Sequence, residues 1–160
     1  MNGRTYDFDC QVDAGPPFVY FGIDPGKGGS IAAIWSDGMA YTRHCKLDAT
    51  EQDIATFLRD FDLSSARAIL ERVASSPQMG VVSAFSFGRS YGFLRGLLAG
   101  FQVPYIEVAP AKWQKAMQCM TKGDKNVSKA KAQQLWPKLK ITHANADALL
   151  LAEYGRRFWK

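Results

Sequence analysis

Two histidines and three cysteines are all that this 160-residue chain offers for soft metal ligation. The cysteines, Cys10, Cys45 and Cys119, are odd in number, far apart and never in a Cys-x-x-Cys pair. That excludes a zinc ribbon and a disulfide scaffold, and it suits a reducing compartment. Acidic charge is also short, with 15 Asp and Glu against 20 Lys and Arg. No apolar run approaches the roughly 20 residues that span a bilayer, so no membrane partner is expected. The first 17 residues carry Asp7, Asp9 and Asp13 and lack an apolar core, unlike a secretory signal or an organellar transit peptide. They are read as an N-terminal tail, mobile in character, ahead of a single domain over residues 18–160. Internal repeats, low-complexity tracts and linkers are missing too.

What charge there is, is unevenly placed. Between Ala111 and Lys140 stand eight lysines against one acid, Asp124, a local charge of +7 that leaves −2 for the rest of a +5 chain. A basic segment beside an acidic remainder is the footprint of a phosphate-backbone binder. A solvated lysine-rich helix face gives the same pattern, and charge alone leaves the two level.

Hydrophobic periodicity predicts the elements. Phe18–Asp24 is short, apolar and aromatic, as in a buried strand. Ser30–Trp35 and Met39–Cys45 follow after tight polar turns, which predicts a three-stranded antiparallel meander. A helix opens at Asp48, with DATE as its capping signal, and runs to Phe61. Arg67–Val73 is a fourth strand, Ser83–Leu98 a helix and Pro104–Val108 a fifth strand. Helical pieces around Trp113 and over Val127–Trp136 precede a last helix from His143 to Phe158. The order predicts an α/β fold: a five-stranded mixed sheet, three antiparallel strands then two parallel, flanked by helices.

Three acids stand where an apolar environment is expected. Asp24 ends the first strand before the turn PGKGG, Glu71 lies within the fourth strand, and Asp147 sits in the final helix within ADALLLA. An ionised carboxylate buried without a partner is costly, so an acid in a core strand usually has a cation waiting. With the first and fourth strands adjacent and the last helix crossing their ends, the three can converge. Three carboxylates around one point suit a pair of hard divalent cations, Mg²⁺ or Mn²⁺, which take oxygen ligands and assist phosphodiester hydrolysis. The alternative is that each acid caps a helix or pairs with a lysine. His143, four residues before Asp147, shares its helix face. A ligand, a proton-transfer group or a solvent-facing helix residue are equally compatible with that spacing.

Taken in order, these segments resemble the RuvC branch of the RNase H-like superfamily. GIDPGKGGSIA is similar to its first-strand motif, ILERV to the strand carrying its glutamate, and THANADALLLAEYGRR to its C-terminal helix. SAFSFGRSYGFLRGLLAG, VPYIEVAPAKWQKAM and the lysine-rich stretch ending LWP resemble one subgroup, the phage and bacterial RuvC-like proteins and the plant chloroplast resolvases. The likeness runs from Phe18 to Arg157. It implies a homodimeric Holliday-junction resolvase in bacterial or phage-infected cytoplasm, cutting four-way DNA junctions with Mg²⁺ or Mn²⁺, two ions per site. Its metal-binding carboxylates would be Asp24, Glu71 and Asp147. The histidine four residues before the last carboxylate matches the chloroplast-like pattern at His143, whereas the acid that often precedes it is Thr142 here.

Further features bear on the substrate. Lys112, Lys115, Lys122 and Lys125 are candidate phosphate contacts, the last two foremost. The loop Ala74–Val82 directly follows Glu71, and Met79, Phe85 or Phe87 can wedge between unstacked bases. At least one of the phenylalanines is expected in the core instead. Gly88, Gly92, Gly96 and Gly100 recur every fourth residue. Such a stripe weakens a helix by roughly 1 kcal/mol per glycine unless a close backbone approach compensates. The chain's own sheet is the leading partner, with a second protomer or DNA as alternatives. Two rivals remain: an RNA-processing nuclease similar to the YqgF type, and a junction-binding protein without activity. A sugar-kinase or actin-like ATPase shares the Asp-x-Gly turn but needs a far longer, duplicated fold.

Overall fold

β1 (Val19–Ile23) is buried at every position, which a strand needs when both of its faces are covered. It pairs antiparallel with β2 (Ser30–Trp35), which pairs antiparallel with β3 (Ala40–Lys46). On its other side β1 runs parallel to β4 (Ala66–Glu71), and β4 runs parallel to β5 (Tyr105–Val108). The sheet order is β3-β2-β1-β4-β5. The computed structural model describes residues 18–26, 28–46, 49–74 and 78–159, with residues 41–46 as backbone alone. The expected N-terminal tail lies outside them.

Five helices cover the two faces: α1 (Glu51–Arg59), α2 (Val81–Gly100), α3 (Pro110–Ala116), α4 (Lys125–Leu135) and α5 (His143–Phe158). Strand alternation sorts the cores. Val19, Phe21, Ile23, Ala68 and Leu70 pack with Leu58 of α1 and with Leu94 and Leu98 of α2. Tyr20, Ile34, Ile69 and Val108 face Trp113, Ala132 and the apolar side of α5. Among the described residues no helix is long and apolar enough to cross a membrane.

Element ends moved by a few residues. Asp48 lies outside the described residues, and the cap of α1 is Thr50, whose hydroxyl accepts from Asp53 N while the Asp53 carboxylate accepts from Thr50 N. That reciprocal box stops the helix from starting earlier. Phe61 falls beyond its end, where it makes an edge contact with Phe21 at 5.1 Å. α2 is longer than the sequence predicts at both ends. α4 starts two residues early because Asp124 caps it by accepting from Asn126 N.

Two glycines let α5 lie directly on the sheet. A Cβ at Gly22 would strike Ala148 O and Ala152 N, and one at Gly155 would strike the Ile69 side chain. Ser30 adds a buried tie, its hydroxyl donating to Ala144 O at 2.7 Å. At the far end, Glu153 is 3% exposed and accepts from Arg156 Nε at 2.7 Å and Arg157 Nε at 2.5 Å. Burial alone would raise its carboxyl, but the two guanidiniums outweigh that and hold it below the ordinary value.

Candidate active site

The parallel register sets two of the acids side by side. Ile23 pairs with Leu70, so Asp24 and Glu71 each lie one step on, at the C-terminal ends of adjacent strands. By strand parity both belong to the face that α5 covers. Asp24 is held in a tight turn: Gly26 N donates to its Oδ1 at 3.0 Å, and Asp24 N donates to Ser30 O at 3.1 Å. A Cβ at Gly29 would collide with Asp24 O, so the loop closes over this residue only with glycine there. Asp147 comes from α5 one residue before Ala148, the point where the helix touches Gly22.

The three carboxyls feel one another. Burial raises Asp24, the Gly26 amide opposes it, and the Asp147 charge adds to the rise. Burial likewise pushes Glu71 from 4.5 to about 7, with the Trp113 indole opposing and both aspartates contributing. Asp147 is raised by burial, against the nearby Ser128 hydroxyl and the charges of Lys125 and His143. Lys125 acts on all three acids. As the first residue of α4 it stands exposed at the rim of the cluster.

Among the described residues no three of the His, Cys, Asp and Glu side chains form a ready cage for a metal ion. The acids are held within electrostatic reach of one another rather than closed on a centre. Their chemistry nevertheless fits a hard divalent cation, since every donor is an oxygen. One atom argues for it directly. Among the described residues Asp147 Oδ1 is buried without a hydrogen-bond partner, and so is the buried Ser128 Oγ. Ser128 lies close enough to hold the Asp147 carboxyl down without forming a well-aligned bond. Buried polar atoms are rarely left unpaired, and a bound ion or water is the usual partner where the protein supplies none.

The other expected site residues are placed unequally. His143 is exposed on the first turn of α5 and acts on Asp147 but not on Asp24 or Glu71. Lys112 and Lys115 are exposed on α3, and Lys122 is exposed in a left-handed turn with φ 46°. None of these three acts on the acids as Lys125 does. Met79 is half-buried just before α2. Phe85 is 72% exposed, and Phe87 stacks on Tyr91 with centroids 6.5 Å apart. Neither phenylalanine belongs to either core, contrary to the expectation for at least one of them. Phe85 lies on the side of α2 opposite Leu94, whereas the half-buried Phe87 lies two turns before Leu94 on the same face.

The glycine stripe corrects a further expectation. Among the described residues a Cβ at Gly88, Gly92, Gly96 or Gly100 would meet nothing within 4 Å, so the stripe does not face the chain's own sheet. Gly92 and Gly96 precede the buried Leu94 and Leu98 by two positions, roughly 200° around the helix. Beside the stripe's N-terminal end, Val81 and Val82 are 86% and 83% exposed.

Sequence reasoning missed Trp113 and Ser128 as parts of the site. Trp113 Nε1 donates to Glu71 Oε1 at 2.9 Å. Its signal was a tryptophan within a lysine-rich stretch, which by itself reads as core; Ser128 carried none.

The architecture has solved counterparts. A Thermus thermophilus RuvC structure superposes with a TM-score of 0.61 at 16% identity, over 89% of this chain and 97% of the other. The fold is that of RuvC. A second RuvC structure from T. thermophilus, in complex with a Holliday junction substrate, matches with a TM-score of 0.59 at 15% identity, over 88% and 96% of the two chains. No family model and no curated protein matches the sequence. The RuvC likeness is therefore one of backbone, and roles for individual residues rest on the chemistry described above.

Proposed function

We propose that this protein is a divalent-metal-dependent endonuclease that resolves four-way DNA junctions as a homodimer. It would belong to the RuvC-like subgroup of phages and bacteria that is similar to the chloroplast resolvases. The observation that carries the reading is the approach of Asp24, Glu71 and Asp147 at the C-terminal ends of β1 and β4, with Asp147 Oδ1 buried and without a partner among the described residues. Burying three carboxylates together is unfavourable unless a cation takes up their charge.

Asp24, Glu71 and Asp147 would hold the metal, Mg²⁺ or Mn²⁺. A pair of such ions supplies Lewis-acid activation of the attacking water and stabilises the leaving oxygen. The chain's own groups do the rest. Lys125, whose charge acts on all three acids, would hold the scissile phosphate. His143, at the exposed rim near Asp147, can exchange a proton with solvent or leaving group. Lys112, Lys115 and Lys122 give the flanking backbone further positive charge. The exposed Phe85, and the half-buried Met79 and Phe87 near the start of α2, would offer apolar side chains to unstacked bases.

The dimer reading rests on α2. Its glycine face is open, apolar groups are exposed at its start, and symmetric nicking needs two sites at fixed separation. The test is to incubate matched four-way junction, linear duplex and RNA with the protein, with and without Mg²⁺, beside Asp24→Asn. Paired nicks in the junction alone, lost without Mg²⁺ and in Asp24→Asn while junction binding survives, are expected. Preferred cutting of RNA would move the protein to an RNA-processing role. Junction binding without nicking would leave a silent binder.

A further inference from the structure

Pro110–Ala116 is a seven-residue helix whose lysines face solvent and whose one aromatic residue is swallowed whole. Trp113 has no exposed surface. An indole has a single donor, Nε1–H, and burying it unpaired would be costly. The partner that α3 finds is no backbone carbonyl but Glu71 Oε1, at 2.9 Å across 42 residues of sequence. Among the described residues Glu71 makes no other hydrogen bond, so Oε2 is free of protein partners. The indole is packed with Met117, Cys119 and Ala132 in the same cluster, so it is a rigid donor.

We propose that Trp113 is a positioning residue for the metal site: its buried indole fixes Oε1 of Glu71, leaving Oε2 as the oxygen that takes a divalent cation. The inference rests on the metal-dependent reading above and deepens it. Groups behind a ligating carboxylate hold it in one orientation, and removing such a group commonly weakens metal binding 10- to 100-fold. Glu71 stands at a strand end with two freely rotating bonds beyond Cβ. Without the indole its carboxylate would sample rotamers in which no oxygen meets Asp24 and Asp147.

The experiment uses the full chain freed of metal, with Mn²⁺ as the probe and isothermal titration calorimetry as the readout. Wild type, Trp113→Phe, Glu71→Gln and the double variant are compared, with a melting curve for each. Phenylalanine keeps most of the volume and removes only the donor. Mn²⁺ affinity is expected to fall about tenfold in Trp113→Phe. The same change should do nothing once Glu71 is glutamine, because the clamp acts through that carboxylate. Wild-type affinity in Trp113→Phe, or an equal loss in both backgrounds, overturns the proposal. Should Trp113→Phe fail to fold, the wild-type indole ¹H–¹⁵N resonance answers instead. It should shift as Mg²⁺ is added, and a resonance unmoved while the ion binds overturns the proposal. Wild type that takes up no Mn²⁺ defeats the metal reading itself, an outcome distinct from a clamp that fails while wild type still binds.

Discussion

Replacing Gly22 by alanine tests how the fold makes the site. Gly22 lies two residues before Asp24, and its missing side chain is the space that α5 occupies. An added Cβ would sit well inside 3.0 Å of Ala148 O and Ala152 N, where ordinary contact begins at 3.4 Å. Both obstacles are main-chain atoms of a helix whose residues Ala148–Gly155 are all buried, so no rotamer change relieves the clash. The helix must retreat by on the order of 1 Å, and overpacking of this kind costs about 1–3 kcal/mol, occasionally more. For a chain of this length each kcal/mol lowers Tm by roughly 2–4 °C. A fall of about 6–12 °C therefore corresponds to the upper end, which backbone-on-backbone contact selects. The retreat also carries Asp147 away from Asp24, and a 1 Å misplacement is worth about 100-fold in rate. Melting curves and nicking assays run well below the variant's Tm measure both effects. Gly28→Ala, whose Cβ would meet nothing within 4 Å among the described residues, serves as the packing control. Wild-type Tm in Gly22→Ala would refute the packing argument, and wild-type nicking at a lowered Tm would refute the link from helix seating to chemistry.

The acid cluster makes stability depend on pH. Glu71 rises from 4.5 to about 7 on folding, so the folded state binds the extra proton between those values. The metal-free protein should thus be most stable below pH 4.5 with respect to this group, and lose roughly 2–3 kcal/mol as pH climbs through 7. Mg²⁺ should restore that loss at pH 8; melting curves that are flat across pH 5–8 without metal would contradict the burial of Glu71. Gly92→Leu should give a monomer on size-exclusion chromatography with an unchanged or raised Tm, since its face is open and leucine favours helix by roughly 0.8 kcal/mol. An intact, fully active dimer would remove α2 as the interface. Junction affinity should fall with salt at about −0.9 per phosphate contact, and Lys122→Ala with Lys125→Ala should flatten that slope by nearly 2. An unaltered slope would make these lysines mere surface charge.

Much of the fold was legible because it is written in short-range chemistry. The apolar run at Phe18–Asp24, the turn at PGKGG and the 3.6-residue pattern of the last helix each specify an element locally. The spacing of strands and helices then leaves few ways to stack them. Glu71 was conspicuous as an acid closing the apolar run Ala68–Leu70, and Asp147 as one among alanines and leucines, so neither needed the tertiary structure to stand out. Helix and strand ends were less legible, because caps such as Thr50 and Asp124 compete with neighbours that look equally suitable. What side chains meet across the fold was not legible at all. Nothing near Trp113 in the chain says that its indole will reach Glu71, and nothing near Ser128 says that it will stand by Asp147. The glycine stripe shows the same division: its period was plain in the sequence, but the side it faces depends on which leucines the sheet takes in. Leu94 and Leu98 are taken, and so the glycines look outward. The sequence determined the elements and the three acids, since propensity, periodicity and desolvation act on each residue where it stands. The tertiary structure alone decided the company each acid keeps, because that follows from strand parity, register and the bare backbone at Gly22 on which α5 comes to rest.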